Sequence, residues 1–167
     1  MKRARKILES VGRRDLLAHS RLLIVRHRQL ASQVLLISGS QRAAQRLAEE
    51  ATRIALEAGM NGEVVHGGVR QGRVLAEVGH VGEALVTTRR ATDLLRNLRR
   101  VRRAEEIWWI QALTLHKAGN SYRAEKALAE ARKEVARKRA KIVDPEIGGF
   151  YDNHPMVRSI QMGFEQD

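Results

Sequence analysis

The amino-acid sequence predicts an all-α protein built as an α-solenoid: three antiparallel helical hairpins stacked in series, with an extra N-terminal helix and short C-terminal capping helices. Composition is the first observation behind this. Of 167 residues, 43% are apolar but only 4% aromatic, and both prolines fall after residue 144. Long helices packed through small side chains fit that usage. The second observation is a repeat. Shifted by 40 residues against itself, the chain gives four columns with one residue type three times: Leu35, Leu75, Leu115; Gly39, Gly79, Gly119; Ala44, Ala84, Ala124; and Ala51, Ala91, Ala131. A fifth column, Ala55, Leu95 and Val135, stays apolar. The third is spacing: the two Ala of each copy lie seven residues apart, two helical turns, so they share a face and let a partner helix come close.

Each column has a mechanical role. The Leu faces the core on the last turn of a first helix. The Gly takes the left-handed conformation that ends it, and Ser40 or Asn120 caps the next helix. First helices are expected at about 18–38, 62–78 and 103–118, and second helices at about 41–58, 81–98 and 121–141. The chain thus reads as a single repeat domain over 1–167: a leading helix 1–17, repeats at 18–58, 62–98 and 103–141, and a capping tail 144–167. Because a hairpin cannot cover its own apolar face, consecutive units stack around one continuous core.

The ends are less regular. Residues 1–17 partly fit the second-helix register, with Ala4 matching Ala44 and Leu8 standing in the column of Ala48, Thr88 and Leu128. The first helix that would pair with them is missing, so the expectation is either that the chain was cut from a longer array or that this segment finds its cover elsewhere, self-association in a second copy included. In the tail, Asp144 caps a helix with Pro145 at its first position, expected to stop by Gly148, and a second short helix starts near Pro155.

Net charge is +12, from 31 basic and 19 acidic residues, a field that favours polyanions, acidic protein surfaces included. No cysteine is present, which excludes disulfides, thiolate zinc sites and a Cys nucleophile. The basic N-terminus has no signal-peptide apolar core, and Arg26 and Arg28 interrupt the most apolar stretch, so a cytoplasmic protein is expected. The six histidines show no paired ligand spacing, and the adjacent pairs Glu49–Glu50 and Glu105–Glu106 splay around their helices. No metal site, cofactor or set of nucleophile, base and orienter emerges, so a noncatalytic protein is expected.

The corner pattern, with Trp108, Ala112, Leu115, Gly119, Tyr122, Ala124, Leu128 and Ala131, resembles the tetratricopeptide repeat over about residues 18–145. The period of 40 exceeds the usual 34, so the helices are longer, as in the repeat regions of large bacterial signal-transducing regulators. The stretch from Phe150 to Ile160 is also similar to what closes such regions. The first two hairpins depart from the pattern, with Arg28 and Gly68 where the third has Trp108. The resemblance implies a right-handed superhelix that binds another protein in the groove lined by first helices. In that register Arg26, Gln29, Gln33, His66, Val69, Arg73, Glu106, Trp109, Leu113 and Lys117 point into the groove, which suits an acidic or amphipathic segment with Trp109 as anchor. The Lys and Asn clamp by which some family members grip a terminal carboxylate is not reproduced.

Three further features carry a choice of readings. Arg89, Arg90, Arg96, Arg99, Arg100, Arg102 and Arg103 crowd into fifteen residues with one acid, Asp93. They form a solvated face, meet an acidic protein, or bind RNA or DNA phosphates. Trp108 and Trp109 sit about 100° apart on a helix, so Trp108 is read as core and Trp109 as either groove rim or packing. The run from His66 to Gly72 lacks phosphate-loop spacing, and Gly72 reads as a close-packing point equivalent to Ala112.

Overall fold

The computed structural model describes residues 20–98 and 101–164. All regular structure among them is helical: α1 (Arg21–Ile37), α2 (Gln41–Glu57), α3 (Asn61–Glu77), α4 (Val81–Arg96), α5 (Ala104–Lys117), α6 (Ser121–Arg139), α7 (Pro145–Asp152) and α8 (Pro155–Met162). The chain forms two compact units divided between Arg99 and Arg100. In the first, α1 to α4 each pack on the next, and α1 also meets α3. In the second, α5 packs on α6, and α7 and α8 lie against α6. The expected leading helix 1–17 falls outside the described residues.

The helices follow a tighter frame than the sequence repeat suggests. N-cap residues Ser20, Ser40, Met60 and His80 succeed one another at 20-residue intervals, and Asn120 keeps the same frame. The corners after α1, α2, α3 and α5 are built alike. Gly39, Gly59, Gly79 and Gly119 all have positive φ, between +65° and +90°, the region where an L side chain is strained. At the first corner Ser40 N–H donates to the Leu35 carbonyl at 2.8 Å and Gly39 N–H to that of Leu36 at 3.0 Å. This pairing satisfies carbonyls that a helix end leaves open, and it recurs after α2, α3 and α5. Asn120 caps α6 through its side chain, accepting from Arg123 N–H at 3.3 Å, whereas Ser40 makes no such bond. There the backbone closure alone turns the chain.

The alanine columns face inward. Ala44, Ala84, Ala124, Ala51 and Ala131 are fully buried and Ala91 nearly so, as are Ala55, Leu95 and Val135 one turn on. Small polar residues among them are satisfied locally: Thr52, Thr88, Thr92 and Thr114 each return a hydroxyl to the carbonyl four residues back. Ser32 instead donates across to the Ala44 carbonyl at 2.7 Å. Buried hydroxyls therefore cost little here.

Glycine sets the approach of α3 to both neighbours. A Cβ at Gly67 would meet Thr52 Oγ1 of α2 at 2.6 Å, one at Gly68 the Ala91 Cβ of α4 at 2.9 Å, and one at Gly72 the Thr88 Cγ2 at 2.2 Å. Gly72 is thus a close-packing point, as its column with buried Ala112 implies, and Gly67 and Gly68 are two more. Each glycine costs about 1 kcal/mol of helix propensity relative to Ala, which the closer packing offsets.

The tail corrects one expected boundary. Asp144 caps α7 through Oδ1, accepting from Glu146 and Ile147 N–H at 2.8 and 3.0 Å, but the helix runs past Gly148 to Asp152. Gly148 is pressed against the Arg139 guanidinium, which would lie 2.5 Å from an added Cβ, while Arg139 Nε donates to Asp152 at 2.9 Å. Tertiary contact with α6 keeps the glycines helical where local propensity would stop them.

Candidate functional site

The first-helix faces are best followed unit by unit. In the first unit, α1 and α3 are joined by a polar network. Arg26 donates through Nε and Nη2 to one oxygen of Glu63 at 2.9 and 2.8 Å. Gln29 gives its amide N–H to the Glu63 carbonyl at 3.2 Å and accepts from Arg70 Nη1 at 2.9 Å. Gln29 is buried by this, at 2% exposure. His66 and Val69, also placed on the groove face by the sequence, are buried as well, at 4% and 0% exposure. The cause is the glycine-mediated approach just described, which draws that stretch of α3 among its neighbours. Arg26 and Gln33 stay partly exposed. Arg73 is exposed and makes no hydrogen bond or ion pair within the described residues.

In the second unit the α5 face carries Glu106, Trp109, Leu113 and Lys117, of which Lys117 is exposed and the others half-buried. Its centre is occupied by the chain's own tail. The Phe164 ring stacks on His116 at 4.3 Å and 4° between planes, and faces Trp109 at 5.9 Å and 19°. Arg132 fixes the approach of that tail, donating to the carbonyls of Ile160 and Gln161 at 3.1 and 2.9 Å. Trp108, by contrast, is core. His116 lies seven residues after Trp109 and so shares its face. That spacing was available in the sequence; nothing there pointed to Phe164.

The arginine cluster is dispersed. Arg89, Arg90 and Arg96 are exposed on α4, and Asp93 pairs with Arg96 at 2.7 Å and with Arg89 at 3.7 Å. Arg99 and Arg100 lie outside the described residues, and Arg102 is exposed. Arg103 is not a free surface cation. It caps α5 with a left-handed backbone, φ 54°, while its side chain pairs with Glu106 at 3.0 Å and reaches Met156 Sδ at 3.7 Å. A non-Gly residue in that region is held there by its surroundings.

Charge elsewhere is mostly tied up. Glu105, 3% exposed, is held by Lys138. Arg28 Nε meets Glu50 at 2.8 Å, and its hydrogen bond holds the Glu50 carboxyl below its ordinary value despite partial burial. Burial pushes the Tyr151 phenol up, with the Glu105 charge adding to it. Among the described residues no cluster of His, Cys, Asp or Glu has the makings of a metal site, and no helix is long and apolar enough to cross a membrane. What the arrangement offers is helix surface: cationic and open at Arg73, aromatic at Trp109.

Comparison with protein-family models, curated proteins and solved structures finds no match. The class defined by fold and surface is therefore an all-helical protein of short-cornered, adjacently packed helices.

Proposed function

We propose that the chain is a right-handed solenoid of three tetratricopeptide-like hairpins acting as a noncatalytic scaffold. It binds an acidic or amphipathic segment of another protein along its first helices, in a cytoplasmic signalling or regulatory role. Opposed pairing supports the hairpin reading: going up the chain from Gly68 to Gly72, the facing residues go down from Ala91 to Thr88 and Ala84. Stacking is supported by the bonds of Arg26 and Gln29 to Glu63 and Arg70, one first helix to the next.

The observation that carries the functional reading is the seat of Phe164 on Trp109 and His116. An aromatic side chain from a non-helical segment already sits on a first-helix face. That is the mode in which a partner segment would anchor, with aromatic contact for affinity and Arg73 for charge. A fluorescein-labelled acidic amphipathic peptide, followed by anisotropy, tests this. Arg73→Ala combined with Trp109→Ala weakens binding about tenfold or more with helicity unchanged; equal affinity removes the groove assignment.

A second reading, RNA or DNA binding, rests on Arg89 and Arg96, whose side chains are 75% and 64% exposed, together with exposed Arg90 and Arg102. Titrating a mixed-sequence oligonucleotide at two salt concentrations decides it, since phosphate binding falls steeply with salt. An absence of binding at low salt disposes of it.

A further inference from the structure

The stretch from α8 to Phe164 is held in two unequal ways. Val157 and Ile160 of α8 are 1% and 0% exposed, and Arg132 of α6 donates through Nε and Nη2 to the carbonyls of Ile160 and Gln161. Buried side chains and two hydrogen bonds therefore fix the helix itself. Beyond it the chain turns at Gly163, with φ 76° and ψ −141°, a backbone conformation that glycine adopts freely and L side chains resist. Phe164 then reaches the α5 face as a half-buried side chain stacked by its ring. Rotation at Gly163 moves Phe164 off that face while the buried residues of α8 and the Arg132 hydrogen bonds stay in place.

The face it covers is built for a planar ring. Trp109, Leu113 and His116 follow one another at four and three residues, so they share one side of α5, and all three are half-buried. The Phe164 ring lies within 4° of the His116 plane and 19° of the Trp109 plane, at 4.3 and 5.9 Å. Stacked aromatic pairs at such separations shift an equilibrium by several-fold each, enough to close the face and little enough for a competing ring to open it. The occupant also has the chemistry proposed for the partner: residues 164–167 read Phe-Glu-Gln-Asp, an aromatic followed by two acids.

We propose that Gly163 and Phe164 form a tethered pseudo-ligand that shields Trp109 and His116, and that the partner, an acidic segment presenting an aromatic side chain, binds by displacing Phe164. This rests on the scaffold reading above and adds to it the partner's aromatic anchor and a closed resting state. Apparent affinity is lowered by the fraction of molecules in which the face is open, so removing the occupant raises it.

The test uses a fluorescein-labelled, Glu-rich amphipathic peptide carrying one Phe, and its twin with Ala in that place. Both are titrated by anisotropy into the full-length parent, Phe164→Ala and Gly163→Ala, with folding checked by circular dichroism. Phe164→Ala removes the occupant. Gly163→Ala keeps it but disfavours its turn, since an added Cβ would also lie 3.0 Å from Arg132 Nη2 and 3.2 Å from Leu128 Cδ2. Both variants bind the Phe peptide about threefold to tenfold more tightly than the parent, and the Ala twin shows no such gain. In the parent, saturating Phe peptide moves the Phe164 ring-proton resonances to those of an unstacked ring. Equal or weaker binding by Phe164→Ala overturns the shield and leaves the scaffold reading standing. A gain shared by the Ala twin, or Phe164 resonances that stay in place at saturation, overturns the shield in the same way. Binding by neither the parent nor the variants overturns both.

Discussion

The pairs α3–α4 and α5–α6 stand on the same alanine columns, yet one closes on glycine and the other on tryptophan. One column shows the contrast across all three hairpins. Arg28 forms an ion pair with Glu50, Gly68 abuts Ala91, and Trp108 is buried. Four residues on, the solutions converge: Ser32 donates to the Ala44 carbonyl, and an added Cβ at Gly72 would lie 3.1 Å from the equivalent Ala84 carbonyl. The repeat therefore preserves how closely helices approach at their small-residue points. It leaves free what fills the space beyond them.

The first column can be broken at each level, and the effects should fall in order. Trp108→Ala empties a buried site and is expected to cost about 3–5 kcal/mol, measured by urea unfolding. Gly68→Ala forces a methyl against Ala91 Cβ, and overpacking of about 1–3 kcal/mol should exceed the helix-propensity gain of about 1 kcal/mol. A stabilised Gly68→Ala variant would mean that the helices do not approach as described. Corner substitutions sharpen what the pairs share: Gly79→Ala and Gly119→Ala, both at positive φ, should each cost about 1–2 kcal/mol, and unequal costs would show that the corners are not equivalent.

Arg28→Ala should cost least, at most about 1 kcal/mol, because the pair is partly solvated. Its signature is in pH. Arg28 depresses the folded-state pKa of Glu50, so the pair's stabilisation is present above the unfolded value and lost as pH falls through the folded one. Acid unfolding curves of parent and Arg28→Ala should therefore converge as pH drops. A constant gap would assign the loss to packing of the Arg stem.

The elements most legible in the sequence were those fixed by local backbone demands. Positive φ calls for Gly at residues 39, 79 and 119, and two-turn spacing puts paired alanines on one face; helix positions followed within a few residues. Gly59 makes the same corner, but a lag of 40 sets it against Arg99 and His19, which hid the 20-residue frame. The candidate site was less legible because exposure is a non-local property. His66 and Val69 keep first-helix register, yet their exposure depends on how closely Gly67, Gly68 and Gly72 let α2 and α4 approach. Arg103 looked like one more surface cation until its left-handed backbone and its bond to Glu106 were seen. Phe164 had no periodic context to mark it.

Small residues at repeated points let neighbouring helices nest, and Gly72 against Thr88 is the tightest instance. Stability of the full chain should be measured for Gly72→Ala, Thr88→Ser and both together. Gly72→Ala alone should destabilise by about 1–3 kcal/mol. Adding Thr88→Ser, which removes Cγ2 and keeps the hydroxyl bond to Ala84, should then recover much of that loss as a coupling between the two sites. A Gly72→Ala chain more stable than its parent, or a pair of substitutions that merely add, would contradict such nesting.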